Sequence, residues 1–260
     1  MSTTASLWIA QPRPNPDAPA RLFCFPYAGG APHIFRNWSE SLPSFVDVCA
    51  VQLPGRGNRL REQPYTNLKT LVRDAVAALS PFMDRPFAFF GHSMGALIGF
   101  EVARVLRDNR TRQPEILIFS GARAPQVERT DRKTYDLPDA EFIEELRRLN
   151  GTPAEVLEHP ELLELVLPLV RTDFAVTETY EYVDGPPLDR PLVLFGGLED
   201  TEVSREGLEL WSRQTTGPFK LMMLPGDHFF VHSEQRTMLS MISLELYDVF
   251  DPSVIRQREK

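Results

Sequence analysis

Phe87-Ala88-Phe89-Phe90-Gly91-His92-Ser93-Met94-Gly95-Ala96-Leu97-Ile98-Gly99-Phe100 is the stretch on which the fold turns. It begins apolar without alternation, as a strand covered on both faces must be. It then switches to a helical period, with Leu97, Phe100, Ala103 and Leu106 falling on one stripe. Working outward, the same kind of apolar run recurs at residues 21–25, 46–53, 115–120, 191–195 and 219–224. Between 46–53 and 87–92, Leu68, Leu71, Val72, Ala75, Val76 and Leu79 mark another amphipathic helix. Strands alternating with helices give parallel pairing through crossovers, so the expected class is α/β, with a mostly parallel central sheet covered by helices.

One connection is too long for a crossover. About 70 residues separate the run ending at Ser120 from the one beginning at Pro191. Helical patterns at 139–149 and 160–182, with apolar Leu162, Leu163, Leu165, Val166, Leu169 and Val170, lead us to expect an inserted helical lid over residues 121–190 of a single domain spanning 1–260.

Composition narrows the function. The 260 residues are 42% hydrophobic and 25% charged, ordinary for a globular domain. Lys and Arg number 28 against 36 Asp and Glu, and the formal charge of -8 opposes binding to nucleic acid. Cys24 and Cys49 each sit in an apolar run, which argues against a disulfide framework or a thiolate metal site. No apolar run approaches the roughly 18 residues that span a bilayer. Pro12, Pro14, Pro16 and Pro19 interrupt the N-terminal segment, so neither a signal peptide nor a membrane anchor is expected, and the expected compartment is the cytoplasm.

Gly91-His92-Ser93-Met94-Gly95 is a G-x-S-x-G string between a strand and a helix, the context of a nucleophile elbow. A sharp turn there exposes the serine hydroxyl above the sheet, and the helix N-terminus favours developing negative charge. Serine needs a base and an orienting carboxylate. Of five histidines, His228 is the best placed, in the loop after 219–224 and C-terminal to the serine, with His232 the alternative. The acid is expected between them, after the strand at 191–195, where Asp200 is preferred and adjacent Glu199 is the alternative. Acyl transfer also needs two N–H donors for an oxyanion. One is that of Met94, and the other comes from the loop Phe25-Pro26-Tyr27-Ala28-Gly29-Gly30, at Ala28 or, failing that, Tyr27.

Together, Phe25-Pro26-Tyr27-Ala28-Gly29-Gly30, Gln52-Leu53-Pro54-Gly55-Arg56-Gly57 with Arg59, Gly91-His92-Ser93-Met94-Gly95 and Gly226-Asp227-His228-Phe229-Phe230 resemble the type II thioesterases of polyketide and nonribosomal peptide synthesis. The resemblance runs over nearly the whole chain. It implies an α/β-hydrolase fold and the removal of aberrant or stalled acyl groups from the phosphopantetheine arm of an acyl or peptidyl carrier protein. It implies a triad at Ser93, Asp200 and His228 and oxyanion donors at Ala28 and Met94, with no metal or cofactor, in a chain expected to work as a monomer. Asp227 departs from the family, which often has a second glycine there. Arg56, Arg59 and Arg61 form a basic cluster able to meet an acidic carrier or a phosphate, or else pair internally. The rival readings are an esterase or lipase acting on small esters or acyl-CoA, and a non-enzymatic binding module on the same fold.

Overall fold

A strand apolar at every position needs cover on both faces, and the sheet is built accordingly. The computed structural model describes residues 7–129 and 132–250. Its seven strands are β1 (Ile9–Ala10), β2 (Ala20–Phe25), β3 (Val46–Val51), β4 (Phe87–His92), β5 (Ile116–Ser120), β6 (Leu192–Gly197) and β7 (Phe219–Leu224). They lie in the order β1-β3-β2-β4-β5-β6-β7. All neighbours run parallel except β1, which pairs antiparallel with β3 through Ile9 opposite Val51.

The main helices are α1 (Leu68–Leu79), α2 (Met94–Asp108), α3 (Asp139–Leu149), α4 (Ala154–Glu158), α5 (Pro160–Glu178) and α6 (Gln235–Phe250). Alternate residues of each strand feed two cores. Phe23, Phe25, Phe87, Phe89, Leu117 and Phe119 pack against α1 and α2. Leu22, Cys24, Ala88, Phe90, Ile116 and Ile118 pack on the other side with Trp38 and with Met238, Leu239, Ile242 and Leu246 of α6. The Phe25 and Phe89 rings meet edge to face at 5.2 Å, locking β2 to β4 directly beneath the site.

The expected strands are present with adjusted ends. The run at 46–53 stops at Val51, and the run at 191–195 extends to Gly197. Of the elements named above, three were not anticipated. β1 is two residues long and carries no periodic signal, α4 is a single short turn, and α6 extends the second core. The pattern at 160–182 ends as a helix at Glu178, because Thr179 leaves helical geometry.

Between β5 and β6 the chain leaves the sheet and forms α3, α4 and α5. Phe142 and Leu146 of α3 pack with Leu167 and Val170 of α5 in a third apolar cluster above the carboxyl ends of the strands. The parallel strands β2, β4, β5, β6 and β7 all end at this rim, where open α/β sheets bind their ligands. Among the described residues, no helix is long and apolar enough to cross a membrane.

Candidate active site

Ser93 stands at the rim with φ 53° and ψ −116°, a backbone state that L residues avoid and that only surrounding packing sustains. The flanking glycines explain how. A Cβ on Gly91 would lie 2.2 Å from the Gly95 carbonyl oxygen, and one on Gly95 would lie 2.1 Å from that of Phe25. The elbow is therefore pressed against β2 at backbone contact, and the Ser93 N–H donates to the Ser120 carbonyl at the end of β5 at 2.8 Å.

His228, in the loop after β7, places Nε2 3.1 Å from Ser93 Oγ and Nδ1 2.8 Å from Asp200 Oδ2. A carboxylate only accepts, so His228 Nδ1–H is the donor, and Nε2 offers its lone pair to the serine hydroxyl. Asp200 is fixed in turn, its Oδ1 accepting from the N–H groups of Glu202 and Val203 at 2.8 and 3.1 Å. Neighbouring Glu199 is exposed and takes no part in the contact. The loops bearing His228 and Asp200 meet because β6 ends in glycine: a Cβ on Gly197 would fall 2.6 Å from the Asp227 carbonyl oxygen.

Ser93 and His228 open on a cavity of about 1110 Å³, lined also by Ala28 and Met94 and, from α3 and α5, by Leu146, Val170 and Phe174. Met94 is the first residue of α2, so its N–H has no intrahelical acceptor. Ala28 lies in a turn closed by the Gly30 N–H donating to the Tyr27 carbonyl at 2.9 Å, with Gly29 at φ 75°. Among the described residues, no three His, Cys, Asp or Glu side chains are grouped to hold a metal ion.

Residues 20–245 match the family model described as a thioesterase domain. The chain belongs to the thioesterase family. It is 44% identical to linear gramicidin dehydrogenase LgrE of Brevibacillus parabrevis over 93% of either chain. It is 37% identical to the thioesterase PikA5 of Streptomyces venezuelae, covering 94% of this chain and 86% of that one. Among solved structures, the type II thioesterase BorB from the borrelidin biosynthetic cluster superposes with a TM-score of 0.85 at 35% identity, over 92% of this chain and 98% of BorB.

The remaining polar groups of this thioesterase take structural places. His232 does not meet Ser93: its Nε2 is hydrogen-bonded to the Tyr27 hydroxyl at 2.8 Å. Burial pushes the Tyr27 phenol up to about 12 and, together with His33, draws His232 below the usual imidazole value, so the pair favours a neutral phenol beside a neutral imidazole. His92, buried behind the triad, is held well below its ordinary pKa, first by burial and then by the facing His228 and His232.

Two of the three arginines in the basic cluster are not a surface feature. Arg56 and Arg59 are both 4% exposed, so of the two readings offered for them they follow internal pairing. Arg56 forms a two-pronged pair with Asp173 of α5, and Arg59 pairs with Glu62 while donating to the Gln52 carbonyl and covering the Trp8 ring. Arg61 alone stays exposed. Asp173 escaped the sequence reading, although a signal existed: it falls three residues after Val170 and four after Leu169, on the apolar stripe of α5, where a lone acid needs a buried partner.

Proposed function

We propose that this thioesterase hydrolyses aberrant or stalled acyl groups from the phosphopantetheine arm of acyl or peptidyl carrier proteins in the cytoplasm. The observation that carries the reading is the Ser93–His228–Asp200 hydrogen-bonded chain opening on the cavity beneath α3 and α5. The kinship with PikA5 and BorB supports the substrate class.

In this reading Ser93 Oγ attacks the thioester carbonyl as His228 Nε2 takes its proton, and Asp200 holds the imidazolium by Nδ1. The tetrahedral oxyanion lies between the N–H groups of Met94 and Ala28. Collapse breaks the C–S bond, and the thiolate, a better leaving group than an amine, takes the proton back from His228 as free pantetheine thiol. The acyl group remains on Ser93 as an ester. A water then gives its proton to His228 Nε2 and attacks that ester, and the second collapse returns the proton to Ser93 Oγ and frees the carboxylic acid. Residues 121–190 act as a lid whose cavity face limits the length of the acyl chain.

The test loads short and long acyl groups on a holo carrier protein and follows the carrier's intact mass. Wild type unloads the carrier, and Ser93→Ala is slower by ~10⁴-fold or more. Equal unloading by the two proteins removes the mechanism.

A further inference from the structure

The turn Tyr27–Gly30 has the i to i+3 hydrogen bond and the positive φ at its third residue that mark a type II turn. Its central peptide, joining Ala28 to Gly29, is the part of such a turn that flips most readily. In a type I turn this peptide is rotated by about half a revolution, exchanging the positions of the Ala28 carbonyl and the Gly29 N–H. Here the Gly29 N–H donates to Asp173 Oδ2 at 2.7 Å. A flipped peptide would present a carbonyl oxygen to that carboxylate, lone pair against lone pair, in a site where Asp173 is 2% exposed.

The carboxylate is itself fixed. Arg56 Nη2 donates to Asp173 Oδ1 at 2.7 Å and Nη1 to Oδ2 at 2.9 Å, while Nη1 also reaches the Gly30 carbonyl at 2.9 Å. The guanidinium and the carboxylate thus grip the turn from both of its last two residues. α5 closes on the same spot, since a Cβ on Gly29 would lie 3.1 Å from Val170 and one on Gly55 3.0 Å from Leu169.

We infer that Asp173 is a positioning residue for acyl transfer: clamped by Arg56, it anchors the Tyr27–Gly30 turn through the Gly29 N–H and so holds the adjoining Ala28 N–H in register with the oxyanion. This rests on the proposed role of Ala28 and ties α5, outside the sheet, to the reacting centre. The expectation is a loss expressed in the transition state, leaving ground-state binding alone.

The experiment compares wild type, Asp173→Asn, Arg56→Lys and Glu62→Gln, the last breaking the neighbouring ion pair that does not touch the turn. Steady-state hydrolysis of a short acyl-pantetheine thioester should show kcat reduced 10-fold to 100-fold in Asp173→Asn and Arg56→Lys, with KM within twofold of wild type and Glu62→Gln unaffected. Affinity for an alkyl boronic acid, which forms a tetrahedral adduct with Ser93, should fall in parallel with kcat/KM. In wild type, with no substitution at all, the Gly29 amide should be protected from hydrogen exchange. Folded variants with unchanged kcat and boronate affinity overturn the inference, and so does a Gly29 amide that exchanges freely. Ser93→Ala in the same assay separates the two ideas. If it matches wild type, the functional reading fails; if it is dead while Asp173→Asn is fully active, only the positioning role fails.

Discussion

His228 and His232 are separated by one turn of chain and by a large difference in circumstance. His228 has an acid on one nitrogen and the serine on the other, whereas His232 is hydrogen-bonded to a phenol that burial pushes up to about 12. His228→Ala should therefore abolish turnover of an acyl-carrier substrate, with kcat/KM down ~10⁴-fold or more. His232→Ala should keep activity within about tenfold, since it removes only a support of Tyr27. Equal losses in the two variants would mean that the imidazoles share the proton transfer. That His228 rather than His232 meets Ser93 was legible in the sequence, because chain order and strand ends restrict which histidine can reach the elbow. The burial of Arg56 was not legible, because its partner Asp173 is supplied by a helix more than a hundred residues away along the chain, whereas Arg59 pairs with Glu62 only three residues on. Three arginines near one another read the same whether solvated or clamped.

The strands were legible for the reason that makes them stable: nearly every position is apolar and every position is buried, the few polar exceptions being Arg21, Asp47, His92 and Ser120. The two-residue β1 offers too few positions for a period, and α6 shows its apolar face only once the second core defines where inward lies. Among the elements above the rim, α3 is held at its C-terminal end by contacts that also involve the base and acid loops. Arg148 donates to Glu202 at 2.6 and 3.1 Å, and Asn150, in a left-handed cap, donates to Asp227 Oδ2 at 3.1 Å. Gly151 lies so close to Phe229 that a Cβ would come within 2.1 Å of its ring. Asp227, the departure from the family pattern, thus ties the base loop to α3, with its other oxygen on the Phe229 N–H at 2.8 Å. Exposed pairs of this sort contribute about 0–1 kcal/mol each. The double variant Arg148→Ala, Asn150→Ala should accordingly keep its melting temperature within a few degrees and expose residues 139–158 to trypsin or chymotrypsin several times faster. An unchanged digestion rate would show that the latch does not hold α3.

At the scale of the whole molecule, the two apolar cores enclose the sheet but leave one ionisable ring trapped between sheet and site. His92 ends β4, is 1% exposed, and hydrogen-bonds through Nδ1 to Ser120 Oγ at 3.0 Å. Burial comes first among the causes that hold its pKa well below the ordinary 6.5, followed by the charges that His228 and His232 present when protonated. The fold keeps this imidazole neutral, whereas the unfolded chain protonates it as the pH drops through about 6.5. Below that pH the unfolded state therefore holds more protons than the native one, and stability falls with acidification, by up to about 1.4 kcal/mol per pH unit for one group. The loss is absent above pH 7 and grows between pH 6.5 and 5, before carboxylates begin to titrate. His232, lowered in the same direction by burial and His33, adds to the slope. Chemical denaturation of wild type and His92→Gln at half-unit steps from pH 8 to 5 measures the difference. The variant should lose stability at every pH but show a slope shallower by about one proton below pH 6.5, because glutamine has nothing to titrate. Parallel curves for the two proteins would mean that His92 is already protonated in the native state, and that the site tolerates a buried positive charge directly behind its base.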